Sequence, residues 1–488
     1  MKLGASMNIP TRILSVAGGL FFLIAFISSF TLYLIHYGSA WKLLAALAAA
    51  FLLAMIIIHW ASTRMNRKMF LAVFLSLGFA VRMAWILWNP APPQSDFLFM
   101  HNAALQAVSG DFSFGDSAYF TSFPYQLGFT MYEASVMKLF GHHLFYLKLL
   151  NVLFSSGTAV VLYYSASRTF NENAGRIAAL FYLFYLPNIM MCSVLTNQYI
   201  STFLFLLGCL LLLRSTDSKI HWLLAGLALG FGNLMRPIGA VYLAAIFLFF
   251  IPVLWRLWRS FSKRQAMIGA AKLGGVIAAF YLLQFLASAS LVSAGVTHQA
   301  LSGGDKYWKL MVGLNAETNG SWNMQDARYA NRYPFGEERH RAERIMIMER
   351  LENKSELAAL MGRKLVSMWG STDSSPYWSL QGLNRGDWER ELTNGEGPLY
   401  ILMCAFGFVS MIGLWRSGRY SDNHLYLLVL LLYAAAHLLI EIQTRYRLDL
   451  IPAVILLQSF GFYQVYVWVR GRLPSLGYSP KEAKGLDV

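Results

Sequence analysis

The residues best placed for chemistry lie in one loop and beside a few breaks between apolar runs. The loop is Pro90 to Gln126, PAPPQSDFLFMHNAALQAVSGDFSFGDSAYFTSFPYQ, and it carries Asp96, Asp111 and Asp116 in a chain only 13% charged. Asp96 stands six residues beyond the apolar run ending MAWILWNP, at the depth where a bilayer would meet water. An ionised acid at that depth is costly and therefore calls for a function. There it can act as a general base, taking a proton from an acceptor hydroxyl or amine, with partial desolvation raising its pKa into a useful range. The plain alternative is a helix cap, since Ser95-Asp96 precedes an apolar-periodic run, and the two roles are compatible. Asp111 and Asp116 sit among Gly and Ser, which is turn chemistry. His101 is about one turn on from Asp96, and Glu133 falls within a helical apolar pattern.

A second set of residues suits an anion. Arg236 interrupts LALGFGNLMRPIGAVYL, with Pro237 breaking the helix. Arg445 and Arg447 lie in EIQTRYRLDLIP, between the last two apolar runs. A guanidinium at that depth can bind phosphate through two parallel hydrogen bonds, although any one of the three can equally snorkel to lipid headgroups. Glu441 can orient one of these arginines or act on substrate. Asn197 and Gln198 suit sugar hydroxyls or a tight turn. Tyr125, Gln126 and Asn315 complete the candidate substrate-binding residues.

The elements that must position these residues are membrane spans. The chain has 488 residues, 57% of them hydrophobic, and a mean hydropathy of +0.46. Apolar runs at 13–36, 42–60, 69–88, 145–166, 174–192, 196–213, 220–235, 237–255, 267–296, 398–415, 424–441 and 448–469 predict about twelve transmembrane helices. The fold class expected is therefore an all-α polytopic membrane protein. The first run lacks a small-residue cleavage site and reads as an anchor helix. The net charge of +15 comes from short basic clusters between runs, which mark the cytoplasmic face and give no support to nucleic-acid binding. These clusters hold Arg64, Arg67 and Lys68; Arg168 and Arg176; Arg214 and Lys219; Arg256, Arg259, Lys263 and Arg264; Arg416 and Arg419; and the tail from Arg470. The opposite, extracytoplasmic face then receives the Asp96 loop, Asn197, Arg236, Glu441 and a polar stretch of about a hundred residues.

Three regions follow: a transmembrane region 1–296 whose loop at about 89–144 holds interfacial helices, a mostly helical extracytoplasmic segment 297–397, and C-terminal helices with a cytoplasmic tail, 398–488. Cys192, Cys209 and Cys404 show no CxxC spacing, which argues against a zinc site or a disulfide framework. No P-loop, GxGxxG after a strand, HExxH or GxSxG occurs.

With these residues assembled, the chain resembles the GT-C glycosyltransferases, and more narrowly the family-39-like group of protein mannosyltransferases and aminoarabinose transferases. The resemblance rests on Asp96 after an early span, the FPYQLGFTMYEA stretch, the Arg236-Pro237 turn, the large segment before the last spans and EIQTRYRLDLIP. It implies a polyprenyl-phosphate-linked sugar as donor and inverting single displacement on the extracytoplasmic face of the cell membrane. It also implies Asp96 as base, Arg236, Arg445 and Arg447 on the lipid phosphate, and a glycan, lipid or protein acceptor. Relatives often carry two adjacent acids in the first loop. Here Phe97 follows Asp96, so no metal ligands are assigned and a divalent metal stays open as a cofactor. Two runs precede the loop where close relatives have one, so the first two helices read as an addition. A lipid-linked-glycan flippase or other transporter would also be polytopic and basic inside, but would carry more charges deep in its spans. A glycan polymerase or ligase would use arginines such as Arg328, Arg332, Arg339, Arg341 and Arg344, with a pyrophosphate-linked donor.

Overall fold

The structure is a computed structural model that describes residues 8–37, 39–214, 219–383 and 385–472. The tail beyond residue 472 and the middle of the basic loop at 215–218 lie outside the described residues. Among the described residues the chain is helical throughout, with no strand. Eight of the described helices are long and apolar enough to cross a membrane, or nine if one bent pair forms a single span. The shorter apolar helices Gln198–Arg214, Ile220–Met235 and Asn423–Leu439 fill the remaining runs. Every apolar run of the sequence therefore carries a helix or a broken helix, and the all-α polytopic class is the one observed.

The bent pair, Glu172–Phe184 and Leu186–Ser193, turns by 57°. Its cause is local. Pro187 has no N–H for the carbonyl of Leu183 four residues earlier, so the ladder fails there. Arg82, fully buried in the helix Arg67–Trp88, repairs the break. Its guanidinium donates to Leu183 O at 2.8 Å, Tyr182 O at 3.1 Å and Gly78 O at 3.1 Å, and to Ser155 Oγ at 2.9 Å. One charged side chain thus ties three helices together where a non-helical backbone would otherwise be unsatisfied.

The first helix, Asn8–Tyr37, packs along Gly386–Ser417 and Lys354–Gly370, so it is built into the bundle. Ala40–Arg64 leaves most of its surface uncovered by protein. The loop after Trp88 forms the short helices Asp96–Val108, Ala118–Ser122 and Leu127–Phe140. Segment 297–397 folds around its own small core of Trp308, Met311, Val312, Leu314, Ala330 and Ile347. It is fastened to the Asp96 loop by Asp305 N to Ser122 O at 2.8 Å and Gln299 Nε2 to Thr121 O at 2.8 Å. The boundary read at 397 falls inside one continuous helix, Gly386–Ser417, which contains Pro398.

Replacing Arg82 with Met leaves the carbonyls of Tyr182 and Leu183 without donors, at about 1–3 kcal/mol for each buried group. The thermal midpoint of the detergent-solubilised variant should fall well below wild type, and Arg82→Lys should recover only part, because an ammonium lacks the fork that spans the gap.

Candidate active site

The segment joining the last two long elements, Glu441 to Asp449, ends in a tight turn at Thr444–Asp449. Its alternate side chains form a relay. Gln443 Nε2 donates to Glu441 Oε1 at 2.8 Å, and Arg445 Nε donates to Gln443 Oε1 at 2.7 Å. The far side of the Arg445 guanidinium stands 3.9 Å from Asp96 Oδ2. It is held flat by Trp378, with its carbon 4.2 Å from the ring centroid, and by Phe97 at 5.1 Å. The residue after Asp96 therefore serves as a platform for the cation that faces Asp96.

Asp96 opens the first turn of its helix. The cap position belongs to Ser95, whose φ is +51° and whose side chain makes no capping hydrogen bond. The Asp96 carboxylate is thus left to its cation, with 45% of its side-chain surface open to an incoming group. Burial raises its pKa above the usual carboxylate range; Arg445 and Lys309 pull it back only in part, and Glu441 adds to the rise.

Lys309, in the short helix Trp308–Gly313, reaches Glu441 Oε2 at 3.5 Å. Burial works against its ammonium, but the neighbouring Tyr446, Tyr125 and Glu441 hold its pKa above the normal lysine value. Arg236, from the turn before Pro237, donates Nε to Asp449 Oδ2 at 2.8 Å and its Nη1 to Asn197 Oδ1 at 3.2 Å. Tyr446 lies at the centre: the charged groups of Arg236, Lys309 and Arg445 stand 5.1, 5.8 and 5.7 Å from its ring centroid. Asn197 and Gln198 form the frame beneath. Asn197 Nδ2 donates to Met235 O at 2.9 Å, and Gln198 Nε2 donates to Arg445 O at 3.0 Å and Asp449 Oδ1 at 3.2 Å. Asp449 also accepts from Tyr433 at 2.9 Å.

The structure therefore brings Asp96, Asn197, Gln198, Arg236, Glu441 and Arg445 into one cluster. Tyr125 joins them, since Lys309, Tyr446, Glu441 and Asp96 all act on its phenol, whose pKa burial raises. Gln126 sits beside Tyr119, another phenol in the field of Asp96. Three of the residues read from the sequence lie elsewhere. Arg447 is fully buried and turned away, donating to Ser371 O at 2.8 Å and pairing with Asp373 Oδ2 at 3.3 Å. Its place with the other two arginines is corrected: a closed ion pair leaves it no free donor fork for a lipid phosphate. Asn315 donates to Asp326 Oδ2 at 3.0 Å inside segment 297–397 and braces that segment. His101 faces the buried Glu133, with Nδ1 3.9 Å from Oε2, beneath the loop rather than in the cluster. Asp111 accepts from Ser113 N at 2.9 Å, the turn role its neighbours suggested. Arg339 is tied to Ser122 and Asn331, and Arg344 to Glu337, whereas Arg328, Arg332 and Arg341 are exposed.

The sequence reading missed Lys309, Asp449, Tyr446 and Trp378 as members. Lys309 gave a faint signal, a lysine inside the otherwise apolar YWKLMVG. Among the described residues, no three His, Cys, Asp or Glu side chains gather as a metal ion would need; Asp96 faces a guanidinium instead of a second ligand.

Residues 131–281, about a third of the chain, match the family described as dolichyl-phosphate-mannose-protein mannosyltransferase. The matched stretch contains Glu133, Asn197, Gln198 and the Arg236-Pro237 turn, but neither Asp96 nor Arg445. The chain is thus similar to that family over this stretch; of the elements that carried the resemblance, the Arg236-Pro237 turn and the end of FPYQLGFTMYEA fall inside it, and the segment before the last spans and EIQTRYRLDLIP fall outside. No protein of curated function matches in sequence. Among solved structures, the archaeal oligosaccharyltransferase AglB from Archaeoglobus fulgidus, in complex with an inhibitory peptide and a dolichol-phosphate, aligns at 13% identity with a TM-score of 0.46. The alignment covers 84% of this chain and 53% of AglB, so the chain spans about half that protein's length. ArnT from Cupriavidus metallidurans bound to undecaprenyl phosphate aligns at 12% identity, TM-score 0.38, covering 82% of this chain and 78% of ArnT.

Removing Arg447 strands the buried Asp373 carboxylate, a loss of about 3–5 kcal/mol for a broken buried pair. Arg447→Met should therefore lower the thermal midpoint sharply in detergent. An unchanged midpoint would contradict the closed pair.

Proposed function

We propose that the protein is a membrane glycosyltransferase that moves a sugar from a polyprenyl-phosphate donor to a glycan, lipid or protein acceptor at the extracytoplasmic face of the cell membrane. The observation that carries this reading is the Asp96–Arg445 pair: an accessible carboxylate of raised pKa, 3.9 Å from a guanidinium, in one cluster with a second cation, Lys309, which is paired with Glu441. The family matched by residues 131–281 supports a dolichyl-phosphate type of donor. The sidedness is supported by Arg67, which opens the helix Arg67–Trp88, and Asp96, which lies beyond its other end, with Arg67 paired to Glu172 at 2.7 Å on the basic side.

The chemistry is one displacement. Asp96 takes the acceptor proton as the acceptor oxygen or nitrogen forms its bond to the anomeric carbon. The bond from that carbon to the phosphate oxygen breaks on the opposite face, which inverts the anomeric centre. The charges balance within the site. Asp96 goes from −1 to neutral while the departing phosphate goes from diester to monoester and gains one negative charge. Arg445 need only exchange one partner for the other, and Lys309 stands ready beside it. Such prearranged donors stabilise developing charge without reorganisation. Arg236, held by Asp449, sets the floor of the phosphate site through Tyr446. Trp378 and Tyr125 flank the place where the sugar would lie.

Purified protein in liposomes, given radiolabelled polyprenyl-phosphate sugars and an envelope fraction, should move label to a new product. Asp96→Asn should abolish the transfer, by at least the 10²–10⁴-fold typical of a general base. Full activity in a folded Asp96→Asn protein would remove Asp96 from the role.

The base must be ionised to act, so activity should rise with pH through the raised pKa of Asp96. The acidic limb of kcat/KM should lie above the range of an exposed aspartate, and Arg445→Gln should move it further up by removing the largest lowering influence.

A further inference from the structure

Lys364 is an ammonium in the wrong place for a surface lysine. It lies in the helix Lys354–Gly370 of segment 297–397 and is 1% exposed. A buried charge persists only when it is paired or well hydrogen-bonded. Its hydrogen bonds go to two backbone carbonyls from distant parts of the chain: Gly313 O at 2.7 Å and Ile440 O at 2.8 Å.

Those carbonyls belong to the two elements that carry the Lys309–Glu441 pair. Gly313 ends the helix Trp308–Gly313, whose second residue is Lys309. Ile440 immediately precedes Glu441. The two backbones are also joined directly, with Glu441 N donating to Lys309 O and Ile442 N to Gly320 O, both at 2.9 Å. Two glycines clear the space. A Cβ on Gly313 would stand 2.3 Å from Leu439 O, and one on Gly320, whose φ is +71°, would stand 2.7 Å from both Gly313 O and Lys364 Cε. A cation at the C-terminal carbonyl of a helix is also favoured by the helix dipole.

We infer that Lys364 is a positioning residue of the active site, clamping the Lys309 helix to the Glu441 strap and thereby fixing the cation that receives the donor phosphate. This rests on the functional reading above. It makes segment 297–397 a structural part of donor binding, through a residue that touches no substrate. Burial lowers the Lys364 pKa to about 8, against the opposing field of Glu441, consistent with an ammonium held by carbonyls alone.

The test is a double-variant cycle on reconstituted protein, reading the donor KM and the inhibition constant of free polyprenyl phosphate. Lys364→Met should raise both by about tenfold, within the coupling range of residues joined through one hydrogen-bond network. In a Lys309→Met background it should add little, because the cation it positions is gone. Lys364→Gln keeps N–H donors for the carbonyls and should fall between Met and wild type; it carries the test if the Met variant does not fold. A purely structural lysine would reduce the active fraction and leave both constants unchanged. That result, or an equal rise with and without Lys309, would overturn the clamp. Wild-type protein that transfers no sugar would overturn the functional reading and the clamp with it.

Discussion

The arrangement depends on one guanidinium being shared. Arg445 is oriented from behind by Gln443, stacked on Trp378 and Phe97, and faces Asp96 at a distance too long for a committed hydrogen bond. A tighter pair would lower the Asp96 pKa and weaken the carboxylate as the proposed base. A more distant one would leave the half-exposed acid without a partner. At 3.9 Å the cation faces the carboxylate without a committed hydrogen bond, as the proposed exchange of one anion for another requires. The rest of the cluster keeps this balance. Lys309 is matched by Glu441 and Arg236 by Asp449, so the resting charges cancel in pairs around Tyr446.

The bundle delivers these groups from far-apart stretches of sequence because helix ends are where a membrane protein can break its ladder. The Asp96 turn, the Asn197-Gln198 turn, the Arg236-Pro237 turn and the Glu441–Asp449 strap each sit where a helix begins or stops. Backbone freed there finds side-chain partners: Asn197 takes the carbonyl of Met235, and Gln198 that of Arg445. Arg82 plays the same part at the break before Pro187. Polar residues are costly at such depth, and at these breaks they are engaged by the backbone that the helices release.

Much of this was legible in the sequence. Hydropathy marked each span, and odd charges beside breaks marked Asp96, Arg236 and Arg445. What was not legible has physical reasons. Arg445 and Arg447 are two residues apart on a turn of about three residues, so they point in different directions despite their proximity. One faces Asp96 and the other Asp373. Lys309 and Lys364 lie in a polar segment where lysines are ordinary, and only the tertiary fold sets one against Glu441 and buries the other. Arg82 was hidden because an apolar run absorbs one charge without losing its length. Asn315 was read as a substrate ligand because its partner, Asp326, is near in sequence yet paired only through the fold.

If the proposed function holds, the Asp96–Arg445–Lys309 cluster binds the phosphate of a polyprenyl monophosphate. Saturable binding of that lipid to the purified protein, followed by native mass spectrometry, addresses it without any need to know the sugar or the acceptor. Binding should survive Asp96→Asn and be lost in Lys309→Met combined with Arg445→Gln. Binding that is indifferent to both cations, or absent from the wild type, would contradict it.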